Sequence, residues 1–187
     1  MTKITKLNYD DRKQIEGWDK YRVSNYAQQY QEILDALEAG SIKEYIDRVL
    51  KSQSKLYRRE RFSYVLRNDE NKIVAFMFFY LHRFENGGHD MFIQSIVTHP
   101  KYRRQGYAKE LLGTIFANPY QYIGERPNDV GGFVFPWNID SLRLFDNFAN
   151  FEEKPYMGKY YFIIADYNTI ERNARKLYKN DNITKTN

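Results

Sequence analysis

The chain has 187 residues, 42% of them hydrophobic, with 17 Tyr and 13 Phe, which is enough apolar material for one packed domain and argues against disorder. It holds no cysteine, which excludes disulfides, thiolate metal sites and a cysteine nucleophile. The formal net charge is a modest +5, and the longest apolar run, residues 73–81, is too short to span a bilayer, so a cytoplasmic protein without membrane association is expected.

Residues 4–7 read as a short first strand, with Asp10 or Asp11 capping a helical stretch after it. Tyr26, Tyr30, Ile33, Leu34 and Leu37 recur near one helical face, and Gly40 is placed as the stop. Ser41 with Glu44 forms a capping-box pattern that opens a second helix through Ile42, Tyr45, Ile46, Val49 and Leu50. Phe62, Tyr64 and Leu66 alternate with Ser63 and Arg67, so a strand begins there. After a turn over 68–72, residues 73–83 form a long strand apolar on both faces, expected at the centre of a sheet. A turn over 85–90 leads to an apolar strand ending at Thr98. Ala108, Leu111, Leu112, Ile115 and Phe116 then make one helical stripe. Residues 118–132 read as a loop, 133–137 as a strand, 139–147 as a helix with Asn138 as N-cap, and 157–165 as a late strand. Residues 168–187 form a basic polar tail, expected to be partly helical.

The order of strand, basic glycine-containing turn and helix over 91–116 suits an anion. The first amides of a helix lack internal partners and the helix dipole adds positive charge there. Gly106 lets a bulky phosphate approach the backbone, and Arg103 and Arg104 can add charge-assisted bonds. Two further basic groups are Lys51, Lys55, Arg58, Arg59 and Arg61, and Arg172, Arg175, Lys176, Lys179 and Lys185. Neither has the interleaved aromatic platform of a single-strand binder, so each reads as a solvated face and nucleic acid is disfavoured as a partner.

The run Arg103-Arg104-Gln105-Gly106-Tyr107-Ala108 resembles the (Q/R)-x-x-G-x-(G/A) signature of the GNAT superfamily of acyl-CoA N-acyltransferases. The preceding VTHPKY, residues 97–102, is similar to the V-x-P-x-Y lead-in of that family. A second block, NIDSLRLFDNFANF over 138–151, resembles its N-x-x-(A/S)-x-x-L-Y-x-x-x-G-F segment at Asn138, Ser141, Leu144 and Phe151. It departs at Phe145 and Asn150, where tyrosine and glycine are usual.

The resemblance implies an α/β (α+β) fold, a single GNAT-like domain over residues 1–167 with a mixed, strongly twisted sheet of about six or seven strands flanked by helices. The sheet would splay between the strand ending near Thr98 and the strand starting near Phe133. It further implies acetyl-CoA as co-substrate, with no metal. Backbone groups of Ile96, Val97 and Thr98 would bind the pantetheine arm like an added strand. Arg103, Arg104, Gln105, Gly106, Tyr107 and Ala108 would hold the pyrophosphate, and Asn138 and Ser141 would lie near the pantetheine. The implied activity is transfer of an acetyl group to a primary amine of a small molecule or peptide, and a homodimer is compatible with it. The positions where family members carry a glutamate base hold Gln94 and Phe133, and Phe145 stands at the tyrosine acid. His82, His89 and His99 have no metal-ligand spacing and read as structural. The alternative is a non-catalytic acyl-CoA-binding sensor domain of the same family, or a basic nucleic-acid-associated protein.

Overall fold

The computed structural model describes residues 2–52 and 59–184, and its strands pair into one seven-stranded sheet. These are β1 (Lys3–Lys6), β2 (Arg59–Arg67), β3 (Ile73–Arg83), β4 (His89–Thr98), β5 (Asp129–Val134), β6 (Glu152–Tyr156) and β7 (Tyr160–Asp166), in the order β1-β2-β3-β4-β5-β7-β6. The helices are α1 (Arg12–Glu16), α2 (Ala27–Ala36), α3 (Ile42–Ser52), α4 (Tyr107–Ala117), α5 (Pro119–Tyr122), α6 (Ile139–Asp146) and α7 (Tyr167–Thr184). β4 and β5 run parallel, while β1–β2, β5–β7 and β6–β7 run antiparallel, so the sheet is mixed as expected. β3 is interior in the order and buried along almost its whole length, which is why it reads as apolar on both faces.

Three elements depart from the sequence reading. β5 starts at Asp129 rather than Phe133, and the expected loop before it contains α5. The single late strand is instead the hairpin β6–β7, turning at Met157 and Gly158. No helix among the described residues is long and apolar enough to cross a membrane.

The contacts divide the described residues into two compact units. The first holds residues up to 52, 61–79 and 95–111. Its core gathers Ile15, Trp18, Tyr30, Ile42, Ile46, Val65, Phe76 and Val97. Asn8 and Asp11 form a reciprocal cap, with the Asn8 side chain accepting from the amides of Asp10 and Asp11 and the Asp11 carboxylate accepting from the Asn8 amide at 3.1 Å. The same carboxylate is paired, out of solvent, with the Arg67 guanidinium of β2. Ser41 accepts the Glu44 amide at 3.0 Å, but the Glu44 carboxylate reaches back to the Gly40 amide, one residue short of a full capping box. Arg61 donates to the carbonyl of Ser52 at 2.9 Å, closing the end of α3. Residues 53–58, including Lys55 and Arg58 of the first basic group, lie outside the described residues.

The second unit holds residues 59–60, 80–94 and 112–184. Leu112, Ile115 and Phe116 of α4 are fully buried, and Phe116 meets Phe148 edge-on at 5.2 Å. The Tyr167 hydroxyl donates to the Phe116 carbonyl at 2.9 Å, which anchors the start of α7. Glu171 on α7 holds both Arg126 and Arg175 at 2.6 Å, so part of the second basic group is neutralised. The side chains from 178 onward lie outside the described residues, Lys179 and Lys185 among them. In β5 two glycines replace side chains where neighbours crowd. A Cβ on Gly132 would lie 3.0 Å from the Ile93 carbonyl oxygen, and one on Gly131 3.1 Å from that of Ile163.

Candidate coenzyme site

β4 carries the chain to Thr98, and the His99 amide donates to the Val74 carbonyl of β3 at 2.9 Å. There the backbone leaves the sheet. The His99 imidazole is buried, and its Nδ1 accepts the Lys101 amide at 3.1 Å, while the Tyr102 amide donates to the His99 carbonyl at 2.9 Å. Pro100 fixes the first φ of the resulting single turn, Pro100–Tyr102. Trp18 and Tyr21 meet the imidazole edge-on at 4.7 and 4.6 Å. Burial, with help from the charges of Lys20 and Lys101, pushes its pKa down to about 4. His99 is thus a neutral acceptor that shapes the turn, and its one basic nitrogen is occupied.

Past Tyr102 the chain reverses over a short distance. Arg103 is extended, Arg104 is left-handed at φ 60° and Gly106 at φ 85°. The Glu110 amide donates to the Gly106 carbonyl at 2.9 Å, making Gly106 the residue that caps α4. A Cβ built on Gly106 meets nothing within 4 Å, so the space in front of the helix end is open. The amides of the first turn of α4 have no partners within the helix, and the dipole adds to their pull on an anion. Among the described residues the exposed Arg104 side chain has no partner, whereas Arg103 is paired with Glu32 of α2 at 3.0 Å. Arg104 is therefore the guanidinium available to an anion, and Arg103 is held by a carboxylate 71 residues away in sequence. Gln105 donates to the Lys101 carbonyl at 3.4 Å and ties the turn to itself.

The sequence-derived positions fall into both units. Ile96, Val97 and Thr98, the turn Arg103 to Gly106, and Tyr107 and Ala108 at the start of α4 lie together in the first. Asn138 and Ser141 lie in the second, where the Asn138 side chain accepts the Ser141 amide at 3.2 Å and caps α6. The parallel register of β4 with β5 covers Met91↔Val130, Phe92↔Gly131 and Ile93↔Gly132, and β4 continues beyond it to Thr98. Phe133 is thus the first residue of β5 past that register.

No titratable base stands at the positions where the family resemblance looks for one. Gln94 is exposed, and the half-open Phe133 ring packs among Phe92, Tyr156 and Phe162 at 4.6–5.5 Å. Phe145 is buried edge-on against Phe151 at 5.3 Å, a packing residue. His89 lies 3.4 Å from the Glu125 carboxylate at the beginning of β4, the end away from Thr98. His82 stands edge-on to Phe84 at 4.9 Å. Among the described residues no group of three or more histidines and carboxylates is gathered to hold a metal. Sequence reasoning missed Glu32 and the rings around Phe133, since both depend on contacts between distant segments.

A family model described as the acetyltransferase (GNAT) family matches residues 27–151. No curated protein sequence matches the chain. Among solved structures, a GNAT-family acetyltransferase from Bacillus cereus ATCC 10987 is 18% identical, the match covering 89% of this chain and 97% of that one with a TM-score of 0.53. Spermidine N-acetyltransferase from Vibrio cholerae, in complex with CoA and spermine, is 10% identical over 90% of this chain and 97% of its own, with a TM-score of 0.61. At such identities the likeness is one of fold. With a family model spanning most of its length and a mixed seven-stranded sheet in which a strand, a basic glycine turn and a helix follow in order, this chain belongs to the acetyltransferase (GNAT) family.

Proposed function

We propose that the chain is an acetyl-CoA-dependent N-acetyltransferase acting in the cytoplasm, with residues 1–167 as the acetyltransferase domain. The observation that carries this is the helix end at Gly106: open space in front of it, amides aimed outward, and Arg104 beside it without a partner among the described residues. That is a cradle for the pyrophosphate of a coenzyme. A fold relative from Vibrio cholerae holds CoA and spermine, which supports the pairing of a thioester coenzyme with an amine acceptor.

In this reading the pantetheine arm bonds to the backbone of Ile96 to Thr98 beyond the β4–β5 register, and the Val97 amide faces the thioester oxygen. A neutral amine attacks the thioester carbon. The carbon–sulfur bond breaks, the nitrogen loses its proton to water, and the CoA thiolate takes a proton from water. Such a thiolate is a tolerable leaving group, because a thiol of pKa about 8.5 needs little assistance. Most of the rate then comes from positioning and from the amide facing the oxyanion.

Calorimetry with acetyl-CoA and CoA tests the coenzyme site. Binding in the micromolar range is expected, and no binding at hundreds of micromolar, about −5 kcal/mol, overturns the reading. Gln94, Phe133 and the buried Phe145 favour one second reading, a domain that senses acyl-CoA without turning it over. Labelled acetyl transfer to a panel of amines and peptides separates the two: coenzyme binding with no transfer to any acceptor selects the sensor.

A further inference from the structure

The second unit carries an aromatic face whose make-up follows from strand register. On β5 and β7, Phe133 pairs with Phe162, and on β7 and β6, Tyr160 pairs with Tyr156. Side chains alternate across a sheet, so these residues share one face. Their rings touch: Phe133 lies 4.6 Å from Tyr156 and 5.9 Å from Tyr160, and Phe135, just past β5, lies 4.7 Å from Tyr160 and stacks on Trp137 at 4.9 Å. A buried core would hide such rings. Here Phe133 is 41% exposed, Tyr156 44% and Trp137 55%.

One cation already sits in this face. The ammonium of Lys159 stands 5.1 Å from the centre of the Tyr160 ring and 5.7 Å from that of Phe135. Both distances lie within the range of about 6 Å over which a ring face attracts an ammonium. Lys159 leaves the β6–β7 turn and its side chain is exposed. The neighbouring Lys154 does not oppose a further cation strongly, since Glu152 pairs with it at 3.1 Å.

We propose that this aromatic face binds an alkylammonium group, and that the Lys159 ammonium marks the kind of cation its rings accept. The rings supply the attraction through their negative faces, and the incoming cation displaces the lysine from Phe135 and Tyr160. Resting on the N-acetyltransferase reading, the bound group is a second, protonated amine of the acceptor. The reacting amine must be neutral to attack, so it is not the one held by the rings. Phe92 and Phe133 flank the last registered pair of β4 and β5, Ile93↔Gly132, and lie 5.2 Å apart, so the face extends onto β4 within this unit. The class of acceptor is thus an amine that carries a second cationic centre.

The experiment is a calorimetric titration of the full chain, without acetyl-CoA, using choline and its uncharged isostere 3,3-dimethyl-1-butanol. Choline is expected to bind about tenfold more tightly than the isostere, the ratio that about 1.4 kcal/mol of cation–ring attraction gives. Lys159→Met should tighten choline about threefold or more by removing the competitor, and Phe135→Leu should weaken it by a similar factor. Lys159→Met changes an exposed side chain, so it remains readable should the ring variant unfold. Equal affinity for the two ligands overturns the proposal, as does absence of choline binding or a Lys159→Met variant that binds choline no better. A dimer in sedimentation that Phe133→Asp dissociates also overturns it, because the face would then be covered by a second copy. Since no coenzyme is present, choline binding with failure of acetyl-CoA binding would sink the acetyl-transfer reading alone, and the converse would sink this one alone.

Discussion

At the scale of residues, His99 shows how a histidine can serve a site without any proton transfer. Its folded pKa of about 4 lies below the ordinary value of about 6.5 because burial and nearby lysine charge oppose protonation. The unfolded chain therefore binds a proton that the folded chain refuses between these two values. Its contribution to stability is complete above about pH 6.5 and is lost as pH falls towards about 4, a loss of about 2–3 kcal/mol. Urea denaturation as a function of pH should show this slope in the wild type and a shallower one in His99→Asn, whose side chain can still accept the Lys101 amide. The two arginines of the turn should also separate. Arg104→Ala should weaken acetyl-CoA by about 1.5–3 kcal/mol through loss of a charge-assisted bond. Arg103→Ala should cost less affinity, because that guanidinium is already shared with Glu32. Gly106→Val should be worse than either, since φ 85° strains any β-branched residue and its methyls enter the open space before the helix. Calorimetry across the three variants checks the order, and equal affinities would remove the anion-site argument.

At the scale of elements, the legible parts are those whose apolar pattern has a clear period. β3 and α4 follow from continuous and helical patterns, and the Asn138 cap of α6 follows from side-chain chemistry that needs no tertiary context. β5 was not legible from its start because Asp129, Gly131 and Gly132, three of its first four residues, are poor strand formers by propensity. A Cβ at either glycine would crowd the Ile93 or Ile163 carbonyl at 3.0–3.1 Å, so neighbours would have to shift to admit a side chain. β6 was hidden for another reason: every residue from Glu152 to Tyr156 is exposed, so nothing alternates. Its turn is also unusual. Met157 and Gly158 are both left-handed, at φ 50° and 65°, and the Lys159 amide donates to the Tyr156 carbonyl at 3.2 Å. Two-residue hairpin turns of this hand favour Asn-Gly, and methionine gains nothing there, being 82% exposed. Met157→Asn is expected to raise stability by about 0.5–1 kcal/mol, read as an upward shift of the thermal midpoint. Of the candidate site, the turn 103–108 was legible from its wording alone. The Glu32 contact and the ring face were not, because each joins segments far apart in the chain.

At the scale of the whole molecule, a net charge of +5 would give the phosphates of the proposed coenzyme a mildly attractive field. That field acts on encounter more than on the bound state. Raising the ionic strength from about 0.01 M to 1 M shrinks the screening length from about 30 to 3 Å, so association of acetyl-CoA should slow by about tenfold while its dissociation changes little. Stopped-flow traces at several salt concentrations measure both, and a salt-independent association rate would rule out steering.

The two tryptophans of the sequence occupy opposite environments, and this makes the protein its own optical instrument. Trp18 is 3% exposed and lies edge-on to His99, whereas Trp137 is 55% exposed and stacked on Phe135. A buried indole emits to the blue and an exposed one to the red, so their fluorescence separates by wavelength. A protonated imidazole quenches an adjacent indole. Blue-edge intensity should therefore follow the charge on His99, and red-edge intensity the occupancy of the aromatic face, within one unlabelled sample.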